Sequence, residues 1–181
     1  MRLVTFGVAN SLDNFIARPD GAVDWLVWDD EVAEITKKFW KTIDTVVMGR
    51  KTYEVAAGSG SGAYPGVKNY VFSRTLKLPR SKEVEVISQD AAEFVGQLKN
   101  EPGKGICVMG GGELAHSLFQ ARLIDQIGLN IQPVLLGSGV PLFYEMNAQL
   151  DLKLLEHKRL KNGGVFIFYR VKKPKPRPEN L

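Results

Sequence analysis

Gly105-Ile106-Cys107-Val108-Met109-Gly110-Gly111-Gly112-Glu113-Leu114-Ala115 is the stretch on which the reading of the fold turns. An apolar run stops at three glycines. The residues beyond the glycines carry Leu114, Leu118 and Ala121 on one helical face. That order is strand, tight turn, helix. Gly110 to Ala115 also fits G-x-G-x-x-A, a dinucleotide-binding pattern when it joins a strand to a helix. A six-stranded nucleotide-binding sheet of the usual kind is not implied, because the motif comes late in the chain. The ribose-binding acid of that pattern, about 20 residues further on, is also missing: the chain there reads Leu129-Asn130-Ile131-Gln132-Pro133.

Working upstream, the same arrangement recurs. Thr45 to Met48 is a short apolar strand, followed by Gly49-Arg50-Lys51-Thr52 and a short helix through Val55. Asn69 to Phe72 is a strand that ends at Ser73-Arg74-Thr75, and Val84 to Ile87 is another. Asp90 and Glu93 have capping-box spacing before a helix whose stripe is Ala91, Phe94, Val95 and Leu98. At the amino end, Arg2 to Ala9 reads as a strand, and Asn10 to Ala22 as a loop rich in turn formers. Asp29 or Asp30 caps a helix with Val32, Ile35 and Phe39 on one face. Ala57 to Gly66 is a glycine-rich surface loop.

Downstream, Ile127, Leu129 and Ile131 alternate, so Asp125 to Gln132 is a strand. Leu152 to Arg159 and Val165 to Val171 flank Lys161-Asn162-Gly163-Gly164, and an Asn-Gly between alternating runs marks a hairpin. Strands alternating with helices predict an α/β sheet, mainly parallel, that finishes in an antiparallel hairpin.

The 181 residues suit one domain, expected over 1–171, with 172–181 as a basic Pro-rich tail. The tail holds Lys172, Lys173, Lys175 and Arg177 against Glu179, so most of the net charge of +4 sits there and the body is nearly neutral. That argues against nucleic acid as a partner. No apolar run is long enough to span a bilayer, and no signal peptide is visible, so a cytoplasmic home is the expectation. The lone cysteine, Cys107, reads as an inert core residue. His116 and His157 have no metal-ligand spacing to it or to each other, so no metal is expected. No Gly-Lys-Ser/Thr occurs, which excludes a Walker A loop.

In a parallel sheet the carboxyl ends of the strands share one edge, where ligands bind. Gly49–Thr52, Ser73–Thr75 and Gly110–Glu113 would all lie there. Glycines admit a phosphate to the backbone, helix starts supply free N–H groups, and Arg50, Lys51 and Arg74 supply charge. Together these loops describe a site for a ligand with several phosphates, and shift the balance toward a dinucleotide. Trp25 and Trp28 can wall a flat substrate, or pack as loop residues.

The sequence also resembles a known superfamily. Ala9-Asn10-Ser11-Leu12-Asp13-Asn14-Phe15-Ile16-Ala17 is similar to the loop after the first strand of dihydrofolate reductase-like proteins. Val46-Val47-Met48-Gly49-Arg50-Lys51-Thr52-Tyr53-Glu54 resembles their V-I-M-G-R-x-T-[WY]-E motif, and Val108 to Leu114 their second glycine motif. Leu123 to Phe143, with Pro133-Val134-Leu135-Leu136-Gly137-Ser138-Gly139-Val140-Pro141-Leu142-Phe143, resembles the reductase domain of the riboflavin-pathway deaminase–reductase. The resemblance covers about Leu3 to Val171.

It implies a dihydrofolate reductase-like fold, NADPH, and reduction of a flat heterocycle of the 5-amino-6-(5-phosphoribosylamino)uracil type. The alternatives are dihydrofolate reductase activity and NADPH binding without turnover. By position, Gly49, Arg50, Lys51 and Thr52 would hold the pyrophosphate, and Ser73, Arg74 and Thr75 the adenosine 2′-phosphate. Gly110, Gly111, Gly112, Glu113 and Leu114 would run along the pyrophosphate and nicotinamide side. Ala9 and Asn10 would lie beside the nicotinamide, and Ser11 to Ile16, including Asp13, would form a mobile substrate loop with Trp25 and Trp28 nearby. Asp29 or Asp30 is the candidate proton route, with helix capping as the competing role. A homodimer is implied through Ile127–Leu136 and Val165–Val171.

Two positions depart from the pattern. Met109 stands where the riboflavin-pathway reductases tend to carry Glu, and no carboxylate aligns cleanly with the pterin-binding acid of folate reductases.

Overall fold

A computed structural model describes residues 1–58, 63–78 and 82–173. Much of the glycine-rich loop and nearly all of the basic tail lie outside these residues.

The core is an eight-stranded sheet. Its strands are β1 (Val4–Ser11), β3 (Ile43–Gly49), β4 (Lys68–Phe72), β5 (Val84–Ile87), β6 (Gly105–Met109), β7 (Gln126–Gln132), β9 (Leu152–Arg159) and β10 (Val165–Val171). The spatial order is β5-β4-β3-β6-β1-β7-β10-β9. The first six of these run parallel. β10 then pairs antiparallel with β7 and with β9, which is the expected hairpin. Its turn residue Gly163 has a φ of 89°. The central strands are apolar on both faces, as a sheet covered on both sides requires. Val46, Val47, Met48, Cys107 and Val108 are all fully buried.

Two helices cover each face. α3 (Ala91–Asn100) and α4 (Gly112–Gln120) pack Val95, Leu98, Leu114, Leu118 and Phe119 against Val4, Phe6, Val47, Ile106 and Val108. α1 (Asp30–Trp40) and α2 (Arg50–Gly58) contribute Phe39, Trp40 and Tyr53 to the opposite face, over Ile43, Val46, Met48, Val71 and Cys107. Asp90 caps α3 by accepting the N–H of Glu93 at 2.9 Å. α1 carries Asp30 and Glu31 in its first turn and Lys37 and Lys38 in its last, complementing its dipole.

Three features differ from the sequence reading. β1 begins at Val4 rather than Arg2, because Arg2 is buried in an ion pair with Asp44 and a hydrogen bond to Thr45. β1 also runs on to Ser11, because Ala9, Asn10 and Ser11 pair with Asn130, Ile131 and Gln132 of β7. Polar residues at that end hide the strand from an apolar-alternation argument. Within the expected loop, β2 (Phe15–Ala17) pairs antiparallel with β8 (Val140–Pro141). A Cβ at Gly139 would lie 2.1 Å from the Ala17 carbonyl oxygen. This close backbone approach, rather than side-chain pattern, defines the pair.

β9 is an exposed edge that leaves Leu152, Leu154 and Leu155 in solvent. Cys107 is fully buried, and desolvation pushes its thiol up to about 12, so it is no nucleophile at neutral pH. No helix among the described residues is long and apolar enough to cross a membrane. No cluster of His, Cys, Asp or Glu among them is placed to hold a metal ion.

Candidate active site

The parallel strands deliver their following loops to one edge. β3 and β6 are neighbours with Met48 opposite Met109, so α2 and α4 start side by side. Between β6 and α4, Gly110 and Gly111 have φ of 58° and 55°, a left-handed backbone that a side chain resists. α4 has no side-chain cap, so no side chain occupies the N–H groups of its first turn. A Cβ at Gly110 would fall 2.6 Å from Thr52 Oγ1, so the β6 loop and the start of α2 touch.

The β4 loop joins the same group. Arg50 donates to Thr75 Oγ1 at 3.0 Å and pairs with Glu54 at 2.6 Å. Ser73 Oγ accepts the N–H groups of Thr75 and Leu76 at 3.2 and 2.9 Å, which shapes a tight turn. Lys51 and Arg74 are exposed and pair with none of the described residues. Outside the end of β3 the space is open: a Cβ at Gly49 would meet nothing within 4 Å. Backbone N–H groups, two uncommitted cations and an open approach over glycine are what a polyphosphate needs, so these residues fit a dinucleotide. Leu114 contributes only backbone here, since its side chain lies in the core. Glu113 points its carboxylate to solvent at the first turn of α4.

Next to this edge, under α1, the sheet face holds a cavity of about 180 Å³. Its floor is Thr5, Gly7 and Ala9 of β1, Met109 of β6, Gly128 and Asn130 of β7, and Phe166 and Phe168 of β10. Val32, Ile35, Phe39 and Trp40 of α1 form the roof, with Trp28 and Tyr64 at the sides. Trp40 stacks on Tyr64 at 5.0 Å and Phe166 on Phe168 at 6.4 Å, so the walls are aromatic and braced. Trp28 is 65% exposed and stands at the mouth. Met109 lines the cavity and is followed directly by Gly110 of the β6 loop, which makes the two spaces neighbours.

Several expected site residues lie elsewhere. Asp29 is the α1 cap, accepting the Val32 N–H at 2.9 Å, and Asp30 is exposed in the first turn; neither lines the cavity. The capping role therefore accounts for Asp29. Asp13 accepts the Ser11 hydroxyl at 2.6 Å and the Leu136 and Gly137 N–H groups at 3.1 and 2.7 Å. The Ser11 hydroxyl, then those amides, hold its carboxyl below the usual carboxylate range. Asp13 thus fastens the loop after β1 to the loop after β7 and is spent as a ligand. Ile16 packs into the core. Trp25 is half-buried away from the cavity, its indole N–H without a partner. Asn10 is buried with its Oδ1 unpaired and its Nδ2 on the Ser11 carbonyl.

Sequence reasoning missed most of the cavity. Gly7 and Gly128 were the available signal: a lone glycine inside a strand marks a close approach or a space. Aromatic residues on β10 gave none, because core and pocket positions share the same alternation.

A family model described as the RibD C-terminal domain matches residues 2–166. The chain belongs to that family. Among its relatives, the uncharacterized protein YwjB of Bacillus subtilis (strain 168) is 36% identical over 149 residues, covering 81% of this chain and 86% of YwjB. Among solved structures, a pyrimidine reductase-like protein from Corynebacterium diphtheriae superposes with a TM-score of 0.75 at 16% identity, covering 96% of this chain and 93% of that one. A diaminohydroxyphosphoribosylaminopyrimidine deaminase/5-amino-6-(5-phosphoribosylamino)uracil reductase from Thermotoga maritima gives 0.70 at 16% identity. This chain aligns over 94% of its length with 57% of that protein. At these identities the structures bear on fold: a mixed α/β, RibD-type, dihydrofolate reductase-like sheet. The motif at Leu123–Phe143 pointed to the same family.

Proposed function

We propose that the protein is an NADPH-dependent reductase that delivers hydride to a flat heterocycle, a reaction of the kind named for the Thermotoga maritima relative. The observation that carries this reading is the adjacency, across Met109 and Gly110, of a polyphosphate-type loop cluster and an aromatic-walled cavity. When bound, the nicotinamide cofactor supplies the hydride. The chain's own work is to bind, orient and exclude water. The first-turn N–H groups of α4, with Gly49 and Thr52, suit the pyrophosphate. Arg74 and Lys51, paired with no carboxylate among the described residues, suit the 2′-phosphate, where an acid would repel it.

Reduction of a C=N or conjugated C=O bond needs a proton as well as a hydride. No Asp, Glu, His, Lys or Arg among the described residues lines the cavity. The proton source we propose is water entering beside Trp28, with the Tyr64 hydroxyl the other proton-bearing group of the lining that titrates. The same lack of a carboxylate weighs against dihydrofolate as the substrate, and it is the feature that favours NADPH binding without turnover as the second reading.

A fluorescence titration tests the cofactor assignment. NADPH is expected to bind at least ten-fold more tightly than NADH, and Arg74→Ala to erase the preference. Equal affinity for the two, or no binding of either, contradicts it.

A further inference from the structure

The roof of the cavity is anchored unequally at its two ends. At the carboxyl end of α1, Phe39 and Trp40 pack against Ile43, Val46, Met48, Val71 and Cys107. Trp40 also stacks on Tyr64. Towards the amino end the helix spans the cavity, and Val32 is the one residue of α1 that is buried. The segment leading into α1 gives little support. Leu26, Val27 and Trp28 are exposed, and the Val27 N–H reaches Gln132 Oε1 only at 3.3 Å.

Glu31 supplies the missing anchor. Its Oε1 accepts from Lys158 Nζ at 2.6 Å, and its Oε2 accepts the N–H of Lys161, 130 residues along the chain, at 2.8 Å. The Glu31 side chain is only 17% exposed, so both bonds form largely out of water. Register explains the meeting. Lys158 stands opposite Phe166 across the β9–β10 ladder, which turns its side chain to the face that Phe166 gives to the cavity. Lys161 follows Leu160, a buried cavity wall, and Glu31 precedes Val32 of the roof. The carboxylate therefore closes the seam between α1 and the hairpin. A partly exposed ion pair adds little to the stability of a whole domain. It has more say over a single helix end that little else holds.

We infer that Glu31 is a positioning residue: it latches the amino half of α1 to the β9–β10 hairpin, and release of the latch lifts Val32 and Trp28 to admit a ligand to the cavity. The inference goes beyond the reductase reading and needs no bound nucleotide, so its failure would leave that reading untouched.

Thiol labelling of the full-length protein tests it, with each site resolved by peptide mass. Val32→Cys places a small apolar thiol under the roof. The native Cys107, fully buried in the cluster that anchors the other end of α1, reports on loosening of the rest. Glu31→Gln and Lys158→Met, each added to the Val32→Cys background, are expected to speed labelling at position 32 about three- to five-fold, the size of one partly exposed ion pair. Labelling of Cys107 is expected to stay unchanged. Both substitutions together should do no more than either alone, because they remove the same contact. They shift the local charge in opposite directions, so a rise in both does not come from the acidity of the thiol itself. Ile35→Cys, further along the same roof, is a second reporter with the same expectation, and covers the case in which Val32→Cys does not fold. Equal acceleration at both thiols would mean that the whole fold loosens, and would overturn the latch. So would opposite effects of Glu31→Gln and Lys158→Met, additive effects of the two, or an unchanged rate in the roof.

Discussion

At the residue scale, acidic side chains near the site hold the backbone and leave the chemistry to others. Asp13 is the clearest case, since three donors converge on it from both loops it joins. Its folded pKa lies below the ordinary 3.8, so the ionised form is the one the fold stabilises. That contribution is complete above pH 3.8 and fades as pH falls through the lowered folded value. Asp13→Asn should therefore lower the unfolding temperature at neutral pH, and the gap to the parent chain should close in acid. Thermal scans across pH check this, and a gap independent of pH would mean that the charge is not what ties the loops. Residue type alone marks Asp13 as a position of interest. It does not assign the partners, because the Leu136 and Gly137 amides lie 123 and 124 residues away along the chain. Asn130 stands in the region where a ribose acid would be expected, yet only the register of β1 beside β7 reveals it as a pocket group.

At the element scale, local signals were reliable where an element is defined by its own residues. The Asp90 cap, the Asn-Gly hairpin and the strand–glycine–helix joints all stand as their residue types require. Signals failed where an element is defined by a distant partner, as for β2 with β8 and for the last two residues of β1, Asn10 and Ser11. The glycines of the two loops make a contrast that separates packing from binding. A Cβ at Gly112 would sit 2.3 Å from a Tyr144 ring carbon and 2.8 Å from the Pro141 carbonyl oxygen. Gly112→Ala should cost about 1–3 kcal/mol of stability by overpacking. Gly49→Ala meets open space and should change stability by less than about 0.5 kcal/mol, while weakening NADPH because the methyl group fills the approach to the phosphate loops. Denaturant melts and nucleotide titrations of both variants check the pair. A destabilised Gly49→Ala, or one that binds NADPH normally, would show that the cradle is not built around that glycine.

At the scale of the whole molecule, the parallel sheet converts six strand ends into one working edge. Sequence alternation predicted the parallel α/β class and the terminal hairpin, and the motifs pointed to the family. The strand order stayed hidden, because nothing local tells β1 to insert between β6 and β7. That insertion sets Gly7 of the cavity floor opposite Met109, next to the Gly110 loop, and so brings the cavity to the loop cluster. The measurement that probes this union most directly uses NADPH deuterated on its nicotinamide ring, incubated with the protein and a panel of flat heterocycles, with mass spectrometry of the products. The account predicts deuterium in a reduced ring, with a yield that falls at limiting NADPH in Arg74→Ala. Nucleotide and heterocycle that each bind while no deuterium crosses between them would contradict it, and would leave a nucleotide-binding protein without turnover.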